Sequence, residues 1–189
     1  MITVVIPTLD SERVLIPTLA ALVPGSAEGL VCEVLLADGG SRDETRTIAD
    51  AAGCEFIGGP PDETRLKFAA ASARGTWLLF LDPGTALDEG WTREVRAFLA
   101  KDRAGQRAAI FKLAIDGPGL GSRLAEMVAS TRLALTGTPR ADQGLLIAKP
   151  LYLSLGGHSP GPRTRQRLFG KIGSGRLVVL RTRITVPAG

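Results

Sequence analysis

Two carboxylates stand where this chain could do chemistry. Asp82 ends the apolar run Trp77-Leu78-Leu79-Phe80-Leu81 and is followed at once by Pro83-Gly84-Thr85. Asp38 ends Val34-Leu35-Leu36-Ala37 and is followed by Gly39-Gly40-Ser41. Short apolar runs bounded by turn residues read as strands buried on both faces. In an open α/β sheet, ligands bind in the crevice beyond the carboxyl ends of the strands. The two junctions therefore predict a nucleotide-binding sheet edge that carries two acids.

The elements needed to place those acids alternate along the chain. Ile2 to Ile6 is apolar and rich in β-branched residues, which predicts a buried first strand. A helix opens at Asp10-Ser11-Glu12, runs to about Val23 and is closed by Pro24-Gly25. Cys32 to Ala37 is the second strand. Ser41-Arg42-Asp43-Glu44 has the capping-box pattern, and its helix reaches Ala52 with Gly53 as the stop. Cys54 to Ile57 is a third strand, and Asp62 caps a helix to about Ala73. The strand of Asp82 follows. This order predicts a parallel sheet with right-handed crossovers.

Beyond Asp82 the spacing predicts a helix from Leu87 to Lys101, a strand from Arg107 to Ile115 and a helix over 122–135. A short strand (143–148), a short helix (150–155), a helical stretch (165–172) and a last strand (176–186) complete the chain. The expectation is one α/β domain over 1–189, with a nucleotide-binding half over about 1–100 and an acceptor-side half over about 101–189.

Composition narrows the class. A hydrophobic fraction of 44% with 22% charged residues is that of a folded soluble protein. Cys32 and Cys54 are too few for a disulfide framework, and no signal-peptide pattern precedes the first strand, so a cytoplasmic protein is expected. No apolar stretch approaches the ~18 residues of a spanning helix. The net charge is +4, and no Asp or Glu follows Asp142. Such a tail either meets phosphates or anionic lipid or is simply a solvated basic face. Aromatics make up only 5%, without basic interleaving, which argues against a nucleic-acid platform.

Three segments together resemble a known family. Val4-Val5-Ile6-Pro7-Thr8-Leu9-Asp10-Ser11-Glu12, Ala37-Asp38-Gly39-Gly40-Ser41-Arg42-Asp43-Glu44-Thr45 and Leu79-Phe80-Leu81-Asp82 look like the family 2 glycosyltransferases of the GT-A fold. Asp142-Gln143-Gly144 and the Leu155-Gly156-Gly157 turn are similar to a small bacterial branch of that family. The resemblance covers roughly 2–157. It implies a Rossmann-like, mostly parallel sheet flanked by helices and a nucleotide-sugar donor, usually a UDP-sugar. It implies that Thr8 and Asp10 line the nucleotide pocket and that Asp38 accepts a hydrogen bond from the base or ribose. It also implies Mg²⁺ or Mn²⁺ held by Asp82 against the donor diphosphate.

The chain departs from that pattern in three places. The family's Asp-any-Asp motif reads Asp82-Pro83-Gly84, so the second carboxylate is missing. Where relatives present polar residues to the donor, this chain has Arg65 and Lys67, either of which could meet the diphosphate. The acidic pair that supplies the general base of inverting members is absent from His158-Ser159-Pro160-Gly161-Pro162-Arg163-Thr164-Arg165. Asp142, the last carboxylate, and His158, the only histidine, are the remaining candidates for that base.

Two readings follow. One is an inverting glycosyltransferase with a simplified metal site and an acceptor that could be lipid-linked, approached by the segment 119–136 and the basic tail at the inner membrane face. The other is a catalytically degenerate GT-A domain that binds nucleotide or serves as an interaction module. A nucleotidyltransferase is disfavoured because no glycine-rich phosphate loop with a basic residue follows the first strand, and the absence of G-x-x-x-x-G-K-[ST] weighs against a P-loop kinase.

Overall fold

The computed structural model describes residues 1–60, 62–115, 139–140, 142–161 and 163–186. The helix expected over 122–135 lies outside them. The elements run β1 (Ile2–Thr8), α1 (Glu12–Ala27), β2 (Val31–Asp38), α2 (Thr45–Ala51), β3 (Glu55–Gly58), α3 (Thr64–Ser72), β4 (Trp77–Phe80) and β5 (Ala86–Leu87), then α4 (Trp91–Leu99), β6 (Ala108–Ile115), β7 (Leu145–Ala148), α5 (Lys149–Ser154), α6 (Thr164–Ile172) and β8 (Leu177–Val186).

The eight strands of the described residues form one mostly parallel sheet in the order β3-β2-β1-β4-β7-β6-β8-β5. β1, β2, β3 and β4 are mutually parallel, with Thr8 beside Asp38 and Val5 beside Phe80. β7 is antiparallel to β4, and Leu145 lies opposite Phe80. The start of β7 therefore emerges at the same edge as the ends of β1, β2 and β4. β8 returns parallel to β6.

β1 is buried at every position because it has a paired strand on each side and a helical layer on each face. Ile2, Val4 and Ile6 pack with Leu15 and Leu22 of α1 and Trp91 and Phe98 of α4. Val5 points to the other layer, with Leu66 of α3, Tyr152 of α5 and Leu168 and Phe169 of α6. The period-2 alternation of a strand is kept even though the run is continuously apolar.

Three local expectations are corrected. α1 does not close at Pro24-Gly25 but continues to Ala27. The Trp91 Nε1–H donates to the Ala21 carbonyl (3.0 Å), and Gly25 lets the indole ring lie directly on the helix. The capping box at Ser41 does not form. The Asp43 carboxylate instead accepts the Thr45 N–H (3.0 Å) at the start of α2, while Ser41 turns toward Asp38. Residues 86–87 pair with β8 as a short strand, and α4 begins only at Trp91.

β8 carries an irregularity between its pairings of Val179 with Ile110 and Arg183 with Lys112. The Arg181 and Thr182 N–H groups donate to the Glu94 carboxylate, each at 2.5 Å. One acid on α4 thus takes up donors at the irregularity.

Candidate functional site

The loops after β1 and β2 form one surface. The Asp10 N–H donates to Ser41 Oγ (2.9 Å), and the Arg42 N–H donates back to Asp10 Oδ1 (2.7 Å). The Ser11 N–H donates to Thr45 Oγ1 (2.8 Å), the Glu12 N–H to Asp43 Oδ2 (2.9 Å) and the Glu44 N–H to Glu12 Oε2 (3.0 Å). Asp10 has φ +47, a left-handed conformation that aspartate tolerates better than most residues. The Asp43 carboxylate at the start of α1 also complements that helix's dipole.

Asp38 sits beneath this surface, 3% exposed. Its Oδ1 accepts the hydroxyls of Thr8 (2.9 Å) and Ser41 (2.5 Å), and its Oδ2 accepts the N–H groups of Gly40 and Ser41, each at 2.8 Å. A carboxylate offers about four acceptor sites, and all are engaged by the chain's own donors. Burial alone would raise the carboxyl pKa, but these four donors outweigh it and hold it below its ordinary value.

Asp82 emerges just past β4, two strands from Asp38 with β1 between them. The Leu81 N–H donates to the Val5 carbonyl (3.1 Å), and the Asp82 carbonyl accepts the Thr85 hydroxyl (2.6 Å). Gly84, at the position of the missing acid, has φ +88, a conformation glycine adopts freely and aspartate only at a cost. The Asp82 carboxylate meets Arg165 of α6: Nη1 lies 2.5 Å from Oδ2. The Arg165 Nε lies 3.1 Å from Glu63 Oε1, just before α3. The Arg165 side chain is 17% exposed. Burial lowers its pKa, but Asp82 and Glu63 outweigh burial and raise it above its ordinary value.

His158 is buried rather than exposed on its loop, at 1% of its surface. Its Nδ1 lies 2.8 Å from the Tyr152 hydroxyl, and its ring packs edge-on against Phe80 at 4.9 Å. Burial, helped by the charge of Arg165, lowers its pKa to about 3. Held neutral, it is a poor proton acceptor at pH 7. His158, Asp82 and Arg165 share the wall of a cavity of about 20 Å³, room for about one water and no sugar ring.

Asp142 precedes β7 at the same sheet edge as Asp82. Arg140 grips its carboxylate, with Nη2 2.7 Å from Oδ2 and Nε 3.1 Å from Oδ1. Next to it, Gln143 is buried and donates to the Phe111 carbonyl (3.1 Å). Arg65 donates from Nε to the Ala37 carbonyl (2.9 Å), which places it beneath the end of β2. Lys67 is exposed on α3.

Thr8, Asp10, Asp38, Asp82 and Asp142 are thus gathered on one edge, with Arg65 beneath it. Sequence reasoning missed Arg165 and Glu63, because nothing local marks a pairing across 83 residues. It also missed Asp43 and Thr45 as inter-loop ties, although their Asp-any-Thr spacing beside a Gly-Gly turn was a visible signal. Among the described residues no three His, Cys, Asp or Glu side chains converge as a metal cluster.

The family model described as glycosyl transferase family 2 matches residues 3–133. The chain belongs to that family. Comparison with curated protein sequences finds no match. Solved glycosyltransferases share the GT-A fold. Glucosyl-3-phosphoglycerate synthase from Mycobacterium tuberculosis, in complex with Mn²⁺, UDP and glucosyl-3-phosphoglycerate, superposes with a TM-score of 0.67 at 20% identity over 98% of this chain and 70% of its own. S. aureus TarS 1-349 gives 0.74 at 17% over 98% and 60%, and GalNAc-T7 with UDP, GalNAc and Mn²⁺ gives 0.75 at 16% over 100% and 44%. At these identities the likeness shows the fold of this family 2 glycosyltransferase chain, which spans 44% of the longest of the three.

Proposed function

We propose that this domain binds a nucleotide-sugar donor, a UDP-sugar, at the carboxyl edge of β1, β2 and β4 and transfers its sugar with inversion to an acceptor held on the β7 side. The ladder of side-chain and backbone hydrogen bonds between the two loops carries this reading. It builds a preorganised surface at the place where open α/β sheets take nucleotides. Asp10 lines the nucleotide pocket, and Thr8, fully buried, acts beneath it by donating its hydroxyl to Asp38. Asp38 shapes the Gly40–Ser41 backbone rather than reading the base, since its acceptor sites are filled. Arg65 and Lys67 lie on the diphosphate side.

Asp142 is the acceptor-side base. It is the one carboxylate that the acceptor-side segment brings to this edge among the described residues. Its fork with Arg140 has to loosen before it takes a proton. His158 holds the floor of the site and takes no proton. UDP and Mn²⁺ in the solved relatives, and glucosyl-3-phosphoglycerate in one of them, support the donor class without naming this chain's acceptor. A lipid-linked acceptor at a membrane surface remains part of this reading.

A second reading, a nucleotide-binding module without transfer, is favoured by the ion-paired state of Asp142 and the neutral His158. Calorimetric titration of UDP, paired with a sugar-transfer screen over UDP-sugars, separates the two. Asp142→Asn is expected to abolish transfer while UDP affinity stays the same. Unchanged transfer in that variant removes Asp142 from the mechanism. UDP binding without transfer in the parent protein moves the assignment to the module, and no UDP binding ends both.

A further inference from the structure

The end of β4 has two features that belong together. At position 84 the family's second carboxylate has become a glycine with φ +88. From the other half of the chain, Arg165 brings a guanidinium to 2.5 Å from the remaining carboxylate, Asp82. Losing one negative charge at position 84 and gaining a positive one at Arg165 shifts the fixed charge beside Asp82 by two units, one of which Glu63 offsets.

A divalent ion does not fit at Asp82 as the site stands. It would share the carboxylate with a guanidinium and meet its like charge at close range. The guanidinium is already braced from both sides, by Asp82 at Nη1 and by Glu63 at Nε. It is also largely shielded from solvent, so the repulsion is poorly screened. The Glu63 Oε2 atom is buried and has no hydrogen-bond partner among the described residues. The arginine therefore stands between two acids and pairs with both.

We propose that Arg165 stands in for the divalent metal. Its guanidinium offsets one of the two negative charges of Asp82 and Glu63, ties α3 and α6 to the end of β4, and is the fixed cationic group that a donor diphosphate meets there. Guanidinium suits that task because its planar fork matches phosphate oxygens. The diphosphate part rests on the donor reading above; the exclusion of metal does not.

The test begins with Mn²⁺ alone, titrated into the full chain and read by electron paramagnetic resonance. The parent protein is expected to bind no Mn²⁺ at this site up to about 1 mM, the weak end of oxygen-ligand sites. Arg165→Gln is expected to bind one Mn²⁺ at least about tenfold more tightly, through Asp82 and Glu63. Adding Asp82→Asn to it should remove that binding. Arg165→Lys, which keeps the charge, should again exclude Mn²⁺, and it serves as the control if the glutamine variant unfolds. Mn²⁺ bound by the parent protein and lost in Asp82→Asn overturns the proposal, as does an Arg165→Gln variant that folds and stays metal-free. UDP titration supplies the second arm. Affinity unchanged by EDTA and about tenfold weaker in Arg165→Gln supports the replacement, whereas UDP binding that requires Mn²⁺ overturns it. Absence of UDP binding defeats the donor reading, and the Mn²⁺ arm still decides the metal question.

Discussion

His158 shows what a single side chain can report. It is the only histidine in the chain, and its pKa falls from an ordinary 6.5 to about 3 because it is buried and faces Arg165. A base with a depressed folded pKa stabilises the fold fully above its unfolded pKa. That contribution is lost as pH falls from 6.5 toward 3, because the unfolded chain takes up a proton that the folded chain refuses. Glu33, Asp38 and Glu94 are also held below their ordinary values, but those values are 4.5, 3.8 and 4.5, so they act lower down. Between pH 6.5 and 5 the slope therefore belongs to His158. Denaturant stability is expected to fall by up to about 1.4 kcal/mol per pH unit in that window, and His158→Gln to flatten it. A parent profile already flat from pH 7 to 5 removes the buried neutral imidazole. This residue also marks a limit of reading the chain. A lone histidine among glycines and prolines looks like an exposed loop residue, and the aromatic shell of Phe80 and Tyr152 that buries it is assembled only by the fold.

At the scale of elements, what was legible depended on whether the deciding contact was local. The strand ends at Asp38 and Asp82 could be read because an apolar run, an acid and a turn lie together in the sequence. The end of α1 could not, because it is decided by Trp91, 70 residues from its hydrogen-bond partner Ala21. Pro24 withdraws an N–H from the helix, yet the indole brings a donor to Ala21 and packs over Gly25. A Cβ on Gly25 would stand 2.6 Å from the Trp91 ring and 2.9 Å from Val31. Alanine's better helix propensity, about 1 kcal/mol, opposes an overpacking cost of about 1–3 kcal/mol. Gly25→Ala is therefore expected to lower the stability measured by urea unfolding by up to about 2 kcal/mol, with a change in tryptophan fluorescence. A variant as stable as the parent would mean that the ring shifts aside at no cost.

The whole sheet explains why strand pairing could be read in one half of the molecule and not in the other, where the described elements were legible but their order in the sheet was not. Strand-helix alternation through β4 announces a parallel sheet, and that half is parallel. After β4 the sheet turns mixed: β7 inserts antiparallel between β4 and β6, and β8 returns beside β6 from far along the chain. Asp82 emerges at that change of direction, which is where the two halves must be tied and where Arg165 ties them. The same order predicts how stability is distributed. β1, β4 and β7 each have a paired strand on both sides, whereas β3 lies at one edge with no fully buried residue and β5 is a two-residue strand at the other. Local opening at an edge exposes few apolar contacts and costs little. Amide hydrogen exchange should therefore be slowest in β1, β4 and β7 and fastest in β3 and β5. Exchange in β3 as slow as in β1 would mean that its free edge is covered in solution, because a half-exposed strand with one neighbour has no protection of its own that could match the centre.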